Sequence, residues 1–151
     1  MELVNKQDRG FLPSLSPSEL SVLNEAVLEL LNYEEVDIPI EHFINEGIYT
    51  RTCKIPKGVM VAGCLMKIPT TVIVSGDCLV SVGVETKRIT GYAALKGDAW
   101  RRQLFRALED TFVTLYFKTN ATTVQEAEKE MTDEWLLLTT NRKELDKQCQ
   151  A

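Results

Sequence analysis

Two kinds of hydrophobic pattern divide the chain. Leu20, Leu23, Val27, Leu30 and Leu31 recur at the three- and four-residue spacing of a helix and give it one apolar face. The start of that helix is marked three times over: Ser16 can cap it, Pro17 suits its first position, and Glu19 stands where a capping box needs a carboxylate. The same pattern fades near Asn32 to Glu35, where the helix is expected to end. Residues 1 to 12 are polar and mixed, and are expected to form a loose arm.

From Val36 onward the period becomes two. VDIPIEHFI alternates, and GIYTRTCKI alternates again, which places Ile48, Thr50, Thr52 and Lys54 opposite Tyr49, Arg51, Cys53 and Ile55. A turn is expected at Pro56 to Gly58. Next come VMVAG, TTVIVSGD with a turn at Gly76-Asp77, CLVSVGVETKRI, AWRRQLFRA and DTFVTLYFKT. Six to eight short strands at intervals of about ten residues predict a sandwich or a barrel and not a βαβ sheet. The tail returns to helix. Thr122 with Gln125, and Thr123 with Glu126, both fit a capping box ahead of VQEAEKEM. Trp135 to Leu138 is too apolar for solvent, so it is expected to pack on the barrel or on a second subunit. The expected organisation is an arm and helix over 1–35, a barrel over 36–120 and a helical tail over 121–151, in one globular domain.

Composition narrows the function classes. The 151 residues carry a net charge of -5, which argues against a basic nucleic-acid-coating surface while leaving room for a local basic patch. Apolar runs such as Ala26 to Leu31 are far too short to span a bilayer, and Met1 leads into Glu2, Lys6 and Asp8 without an apolar leader. A cytoplasmic protein is the plain expectation. Cys53, Cys64, Cys78 and Cys149 show no C-x-x-C spacing, and His42 is the one histidine. Reduced thiols acting as small apolar side chains fit better than a zinc site.

Few residues offer chemistry. His42 is a candidate general base without a visible orienting partner, since Glu41 points to the other face of its strand. A structural histidine at a strand edge is the better reading. No G-x-S-x-G, G-x-G-x-x-G or Walker-type loop is present. Lys87, Arg88, Arg101, Arg102 and Arg106, interleaved with Trp100 and Phe105, are a candidate phosphate-and-base site. Arg101 and Arg102 would face opposite sides of a strand, and pairing of the arginines with Glu85, Glu109 or Asp110 carries more weight. Tyr92, Tyr116 and Phe112 could line a pocket, although alternating aromatics on a strand are more often core.

The order of elements resembles that of small cupin-like proteins encoded by tailed phages, from about His42 to Lys129. The resemblance rests on GIYTRTCKIPKGVMVAGCLMK, on the Ser75-Gly76-Asp77 turn and on ALEDT leading into the last long strand. It implies a cupin-like β-barrel or jelly roll with an N-terminal helix and C-terminal helices. Cupin metal sites use histidines and a glutamate directed into the barrel. In the related phage proteins the stretch after the glycine resembles His-Lys-Thr-Glu-His, with a further His on the last strand. Placed without gaps, these ligands fall at Met66, Pro69, Thr70 and Phe117, beside the retained Lys67. The resemblance therefore implies a barrel whose metal site is replaced by apolar and hydroxyl groups, with no metal and no cofactor.

The resulting expectation is a non-catalytic, metal-free binding protein. It would be a phage accessory protein, working in the host cytoplasm as a homo-oligomer. Its partner would be a small, phosphorylated or nucleotide-like molecule or a host protein, with no membrane and no extended nucleic acid. A small enzyme with a non-standard acid-base site and a structural virion component are the alternatives.

Overall fold

The helix begins where the capping signals place it. In the computed structural model, which describes residues 10 to 138 and residue 141, helix α1 covers Pro17–Leu30. The Ser16 hydroxyl accepts from the Glu19 amide at 3.2 Å, and Glu19 Oε1 accepts from the Ser16 amide at 3.0 Å. Leu23 is the buried residue of its apolar stripe, while Val22, Leu28 and Leu31 remain exposed.

The rest is mainly β. After a short strand β1, Phe11–Leu12, come β2 (Ile40–Asn45), β3 (Ile48–Ile55), β4 (Met60–Ala62), β5 (Thr70–Val82), β6 (Glu85–Gly97), β7 (Leu104–Ala107) and β8 (Thr111–Lys118). Helix α2 follows at Val124–Met131, and then a 3-10 turn at Trp135–Leu137. Thr123 is the α2 cap, its hydroxyl accepting from the Glu126 amide at 3.2 Å, while Glu126 Oε2 accepts from the Thr122 amide at 3.1 Å, so the second pair supplies the cap without closing a full capping box.

Two expectations need correction. Phe11 and Leu12 are not a loose arm. They pair in parallel with Lys96 and Gly97 of β6, and Leu12 is buried in the core. The dipeptide is too short to show a period, so its single inward leucine carries the placement.

The second correction concerns Gly76-Asp77, which is a bend inside one strand and not a turn between two. β5 runs 13 residues through it and pairs with β6 from Thr70↔Gly97 to Val82↔Glu85. The chain reverses instead at Gly83 and Val84, a two-residue hairpin loop of the kind glycine opens. Gly76 faces Gly91 across the pair, and both have positive φ, 146° and 78°. A side chain at 76 would sit 2.6 Å from Thr111 Oγ1 and 2.8 Å from the Asp110 carbonyl. Glycine is required there because the next strand crosses against its backbone.

That bend lets one hairpin serve two sheets. The first half of β5 pairs with β8, and the second half pairs with β7. The larger sheet is ordered β1-β6-β5-β8-β3-β2; the smaller adds β7 and β4 beside the far half of the β5–β6 hairpin. Leu12, Ile55, Val72, Val74, Cys78, Val80, Leu95, Phe105, Ala107 and Val113 fill the space between the two layers. This is a mainly β, double-sheet barrel of the jelly-roll kind, with helices outside it. A second apolar cluster closes one end, where Tyr49, Met66 and Phe117 meet Ala127 and Met131 of α2. Leu138 packs on that cluster, while Leu137 of the same apolar segment remains exposed. Cys149 lies outside the described residues. Cys53, Cys64 and Cys78 are free thiols, and burial pushes the Cys78 thiol up to about 11.

Candidate functional site

The positions where the resemblance places metal ligands are distributed unequally. Met66 and Phe117 are buried together in the end cluster with Tyr49. Cys64 Sγ lies 3.5 Å from Met66 Sδ. Pro69 is exposed, and the buried Thr70 hydroxyl accepts a hydrogen bond from Arg101 Nη2 at 2.5 Å. A thioether, a phenyl ring and an already occupied hydroxyl do not form a donor set for a hard or borderline divalent ion. Among the described residues, no three His, Cys, Asp or Glu side chains stand close enough to share one.

The arginine–aromatic group does not gather at one place. Residues 100 to 103 are not a continuous strand; Arg101 makes only an isolated bridge to Met66, and Trp100 stands exposed with φ at 58°. Arg102 turns to the tail, where Nη2 meets Glu134 Oε2 at 2.8 Å. Burial alone would raise the Glu134 carboxyl, but Arg102 and the Leu65 amide outweigh it and bring it below the usual range. Arg88 and Arg106 flank Leu79 on the outer face of the smaller sheet, and Arg88 grips Asp77 through two bonds at 3.0 and 2.8 Å. Lys87 is one residue along, opposite Val80, and so on the other face. Arginine pairing is thus present, but with Asp77 and Glu134. Glu109 and Asp110 pair instead with Lys57 and Lys54.

Tyr92 and Phe112 are not core; they stand exposed on the outer face of the larger sheet. Tyr116, on the same face, is half-buried and lines a cleft.

A network missed by the sequence patterns lies inside the barrel. Arg51 projects inward between the two apolar clusters, and its Nη1 reaches Glu128 Oε2 on α2 at 3.2 Å and the Tyr49 hydroxyl at 3.4 Å. His42 Nδ1 is 3.1 Å from the same hydroxyl, and Asn141 Nδ2 donates to Glu128 Oε1 at 3.3 Å. Burial lowers the His42 pKa, Arg51 lowers it further, and Glu128 partly opposes both. Burial raises the Tyr49 pKa. The histidine is thus a partnered edge-strand residue. One signal was available: Arg51 sits on the face of β3 that otherwise carries Tyr49, Cys53 and Ile55, and a charge there needs a partner.

The feature most suited to a ligand lies at the strand ends of the larger sheet. It is a one-sided cleft of about 460 Å³ lined by Ile48, Thr70, Thr71, Lys96, Tyr116 and Lys118, among others. Lys96, Thr71 and Tyr116 form one row across three strands, and Ile48 and Lys118 form the next. Two lysines and a phenol therefore line the same cleft, with Asp98 also in its lining. Beneath the floor is Arg101, 1% exposed, with Nη1 on the Asp98 carbonyl at 2.7 Å and Nη2 on Thr70. Its Nε has no hydrogen-bond partner, and it makes no ion pair among the described residues. Burial pulls its pKa down to about 10. Gly97 makes room for it, since any side chain at 97 would collide with the guanidinium. A buried cation with no carboxylate in ion-pair contact raises the potential of the floor above it, and the nearby Asp98 charge offsets part of this.

No protein-family model matches the chain, and no curated protein matches it in sequence. Several solved structures share its outline. A cupin superfamily protein from Desulfitobacterium hafniense is 10% identical, with 61% of this chain and 86% of that one aligned at a TM-score of 0.48. The cupin domain of an XRE-family transcriptional regulator from Enterobacter cloacae is 10% identical, over 55% and 98%, at 0.45. Ectoine synthase from P. lautus is 16% identical, over 66% and 76%, at 0.49. Those structures include an enzyme and a regulator's domain, so the shared outline does not select an activity.

Proposed function

We propose that this chain is a non-catalytic, metal-free binding protein of cupin-like architecture that holds a small phosphorylated ligand of the nucleotide class. The observation that carries the reading is the cleft at Tyr116. Lys96 and Lys118 stand beside an aromatic ring over a floor that Arg101 makes electropositive. Ammonium groups suit phosphate oxygens, and a phenol suits the face of a base. A volume of about 460 Å³ is within the range of small-ligand sites. Binding thus moves away from Arg102, Arg106, Lys87, Arg88, Trp100 and Tyr92. Of the residues the sequence singled out, Pro69, Thr70, Tyr116 and Phe117 line the cleft and Arg101 lies beneath its floor.

The metal-free part of the reading rests on what fills the end of the barrel. Met66 and Phe117 are packed against Tyr49 and α2, and no step through a metal is assigned to them. The finer role, a phage accessory protein that withdraws a host nucleotide signal or blocks a host protein, is supported by the resemblance over residues 42 to 129. The acid-base alternative would use His42 and Tyr49. It is weaker, because the Tyr49 side chain is fully buried and hydrogen-bonded within the barrel.

Native mass spectrometry and calorimetry of the purified protein with nucleoside mono-, di- and triphosphates test the reading directly. Saturable one-to-one binding that is lost in Lys96→Ala/Lys118→Ala is the expected result. No binding of any phosphorylated compound, or binding indifferent to both lysines, rejects it.

A further inference from the structure

The cleft at the strand ends holds a charge that a phosphate site does not need. Asp98 follows directly on β6 and lines the cleft together with Lys96, Lys118 and Tyr116. Two nearly fully buried residues hold its backbone: its amide donates to the Leu12 carbonyl at 2.9 Å, and its carbonyl accepts from Arg101 Nη1 at 2.7 Å. Its side chain is half-buried, and among the described residues its carboxylate takes no hydrogen bond and no ion pair. Lys96 and Lys118 likewise make no ion pair among the described residues, although Lys96 is two positions from Asp98. The cleft therefore presents two unpaired ammonium groups and one unpaired carboxylate.

We infer that Asp98 selects the base: the nucleotide this cleft takes carries guanine, its ring on Tyr116 and its Watson–Crick edge on the Asp98 carboxylate. The inference rests on the reading of the cleft as a nucleotide site and adds the identity of the base. A carboxylate is an acceptor only, with two oxygens side by side. It repels phosphate, so it faces the part of the ligand that donates hydrogen bonds. Guanine offers N1–H and its 2-amino group as adjacent donors, a fork that meets both oxygens much as a guanidinium does. Adenine and cytosine offer an amino group next to a bare ring nitrogen, whose lone pair would confront the second oxygen. Uracil has a single N–H between two carbonyls. Each of these leaves a carboxylate oxygen unpaired or repelled, which is how a fixed charge rejects the wrong partner.

The spacing suits that division. By backbone position, Lys96 and Tyr116 share a row with Thr71 between them, two strand spacings or about 10 Å apart. Asp98 is two residues beyond Lys96 and Lys118 two residues beyond Tyr116, about 7 Å further toward the same end of the sheet. The four residues thus mark the corners of a rectangle in which the carboxylate lies diagonally across from the phenol. A purine resting on Tyr116 points its edge along that diagonal, and the two ammonium groups at the other corners remain for phosphate. Ile48, 42% exposed beside Lys118, adds apolar surface for the ring. The bonds from Leu12 and Arg101 fix the Asp98 backbone before a ligand arrives, so little ordering is left to oppose binding.

Calorimetric titrations of the full chain with GMP, IMP, AMP and UMP test the assignment, in EDTA so that no divalent ion bridges carboxylate and phosphate. GMP is expected to bind at least about tenfold more tightly than AMP or UMP, with IMP, which lacks the 2-amino group, in between. dGMP should bind as GMP does. Asp98→Asn replaces one acceptor by a donor; it should weaken GMP at least about tenfold and tighten AMP, a gain that damage to the fold would not give. Asp98→Ala should erase the preference without that gain. Both variants should keep the wild-type circular dichroism, because the side chain has no hydrogen-bond or ion-pair partner among the described residues. Equal affinity for GMP and AMP, with both lost in Lys96→Ala/Lys118→Ala, overturns the guanine assignment and leaves the nucleotide site standing. A preference for GMP over dGMP that ignores the base also overturns it, and puts the carboxylate on the ribose hydroxyls. No binding of any nucleotide rejects the site itself, and the inference with it.

Discussion

Arg51 of β3 and Glu128 of α2, 77 residues apart in sequence, form an ion pair of 3.2 Å with side chains only 9% and 2% exposed. The pair ties the helix to the inward face of the sheet at the end of the barrel where the second apolar cluster sits. Removing the Glu128 carboxylate leaves the Arg51 charge buried without this counter-ion, which is expected to cost about 3 to 5 kcal/mol. Glu128→Gln should therefore lower the urea midpoint sharply. Arg51→Met/Glu128→Met should recover part of the loss, because the Arg51 charge is then no longer stranded. Equal destabilisation in the single and double variants would contradict this role.

The barrel's bend depends on Gly76. Gly76→Ala places a methyl group against Thr111 Oγ1 and the Asp110 carbonyl at a φ that side chains rarely adopt. The expected loss is about 2 kcal/mol or more, read from chemical denaturation. Thr111→Ala should cost about 1 to 2 kcal/mol, because it removes the hydroxyl's bonds to the Asp77 and Glu109 carbonyls and the one it accepts from the Asp77 amide.

Acid should weaken the fold through His42. Burial and then Arg51 depress its pKa below the ordinary 6.5, while Glu128 opposes them. The unfolded chain then binds this proton more readily than the folded one. The contribution of neutral His42 is present above about pH 6.5 and is lost as the pH falls through the lower, folded value. Melting temperatures recorded between pH 7.5 and pH 5.5 should fall for the wild type and fall less for His42→Gln. Parallel curves would remove His42 from the account.

Stability and composition should both be indifferent to chelators. Elemental analysis of the purified protein is expected to show no stoichiometric transition metal, and EDTA should leave the melting temperature unchanged. One bound metal per chain would overturn the metal-free reading and send attention back to the end of the barrel around Met66 and Thr70.

Within the cleft, charge reversal separates steering from contact. Lys96→Glu or Lys118→Glu should weaken phosphorylated-ligand binding at least about tenfold and flatten its salt dependence. Tyr116→Ala should weaken binding by about the same factor while leaving the salt dependence intact. Identical salt profiles for all three would argue against phosphate contact by the lysines.

The sequence patterns were clearest where a local device determines structure. Ser16, Pro17 and Glu19 mark the start of α1, and the alternation of Tyr49, Arg51, Cys53 and Ile55 assigns the inward face of β3 correctly. They misled at Gly76, because a glycine that turns a chain and one that admits a crossing strand look alike until Thr111 is in place. They also grouped Arg88, Arg101, Arg102 and Arg106, which lie close in sequence but are sent to different faces by a loop, an isolated bridge and a short strand. The cleft was legible only through Pro69, Thr70, Tyr116 and Phe117. Lys96 and Lys118 gain their meaning from register, which pairs them with Thr71 and Ile48, residues more than twenty positions away in sequence.

The hairpin that belongs to both sheets also bears on how the chain reaches its native state. β5 and β6 meet through a two-residue loop, so their pairing closes with little loss of chain entropy. The β3–β8 pairing must instead bring together residues such as Tyr49 and Phe117 from distant parts of the sequence. The hairpin is therefore the natural nucleus. Because its two halves anchor different layers, neither layer can open fully while the other stays intact. Amide protons along Val72 to Val80 should exchange only by global unfolding, and those of β2, on the open edge, should exchange first.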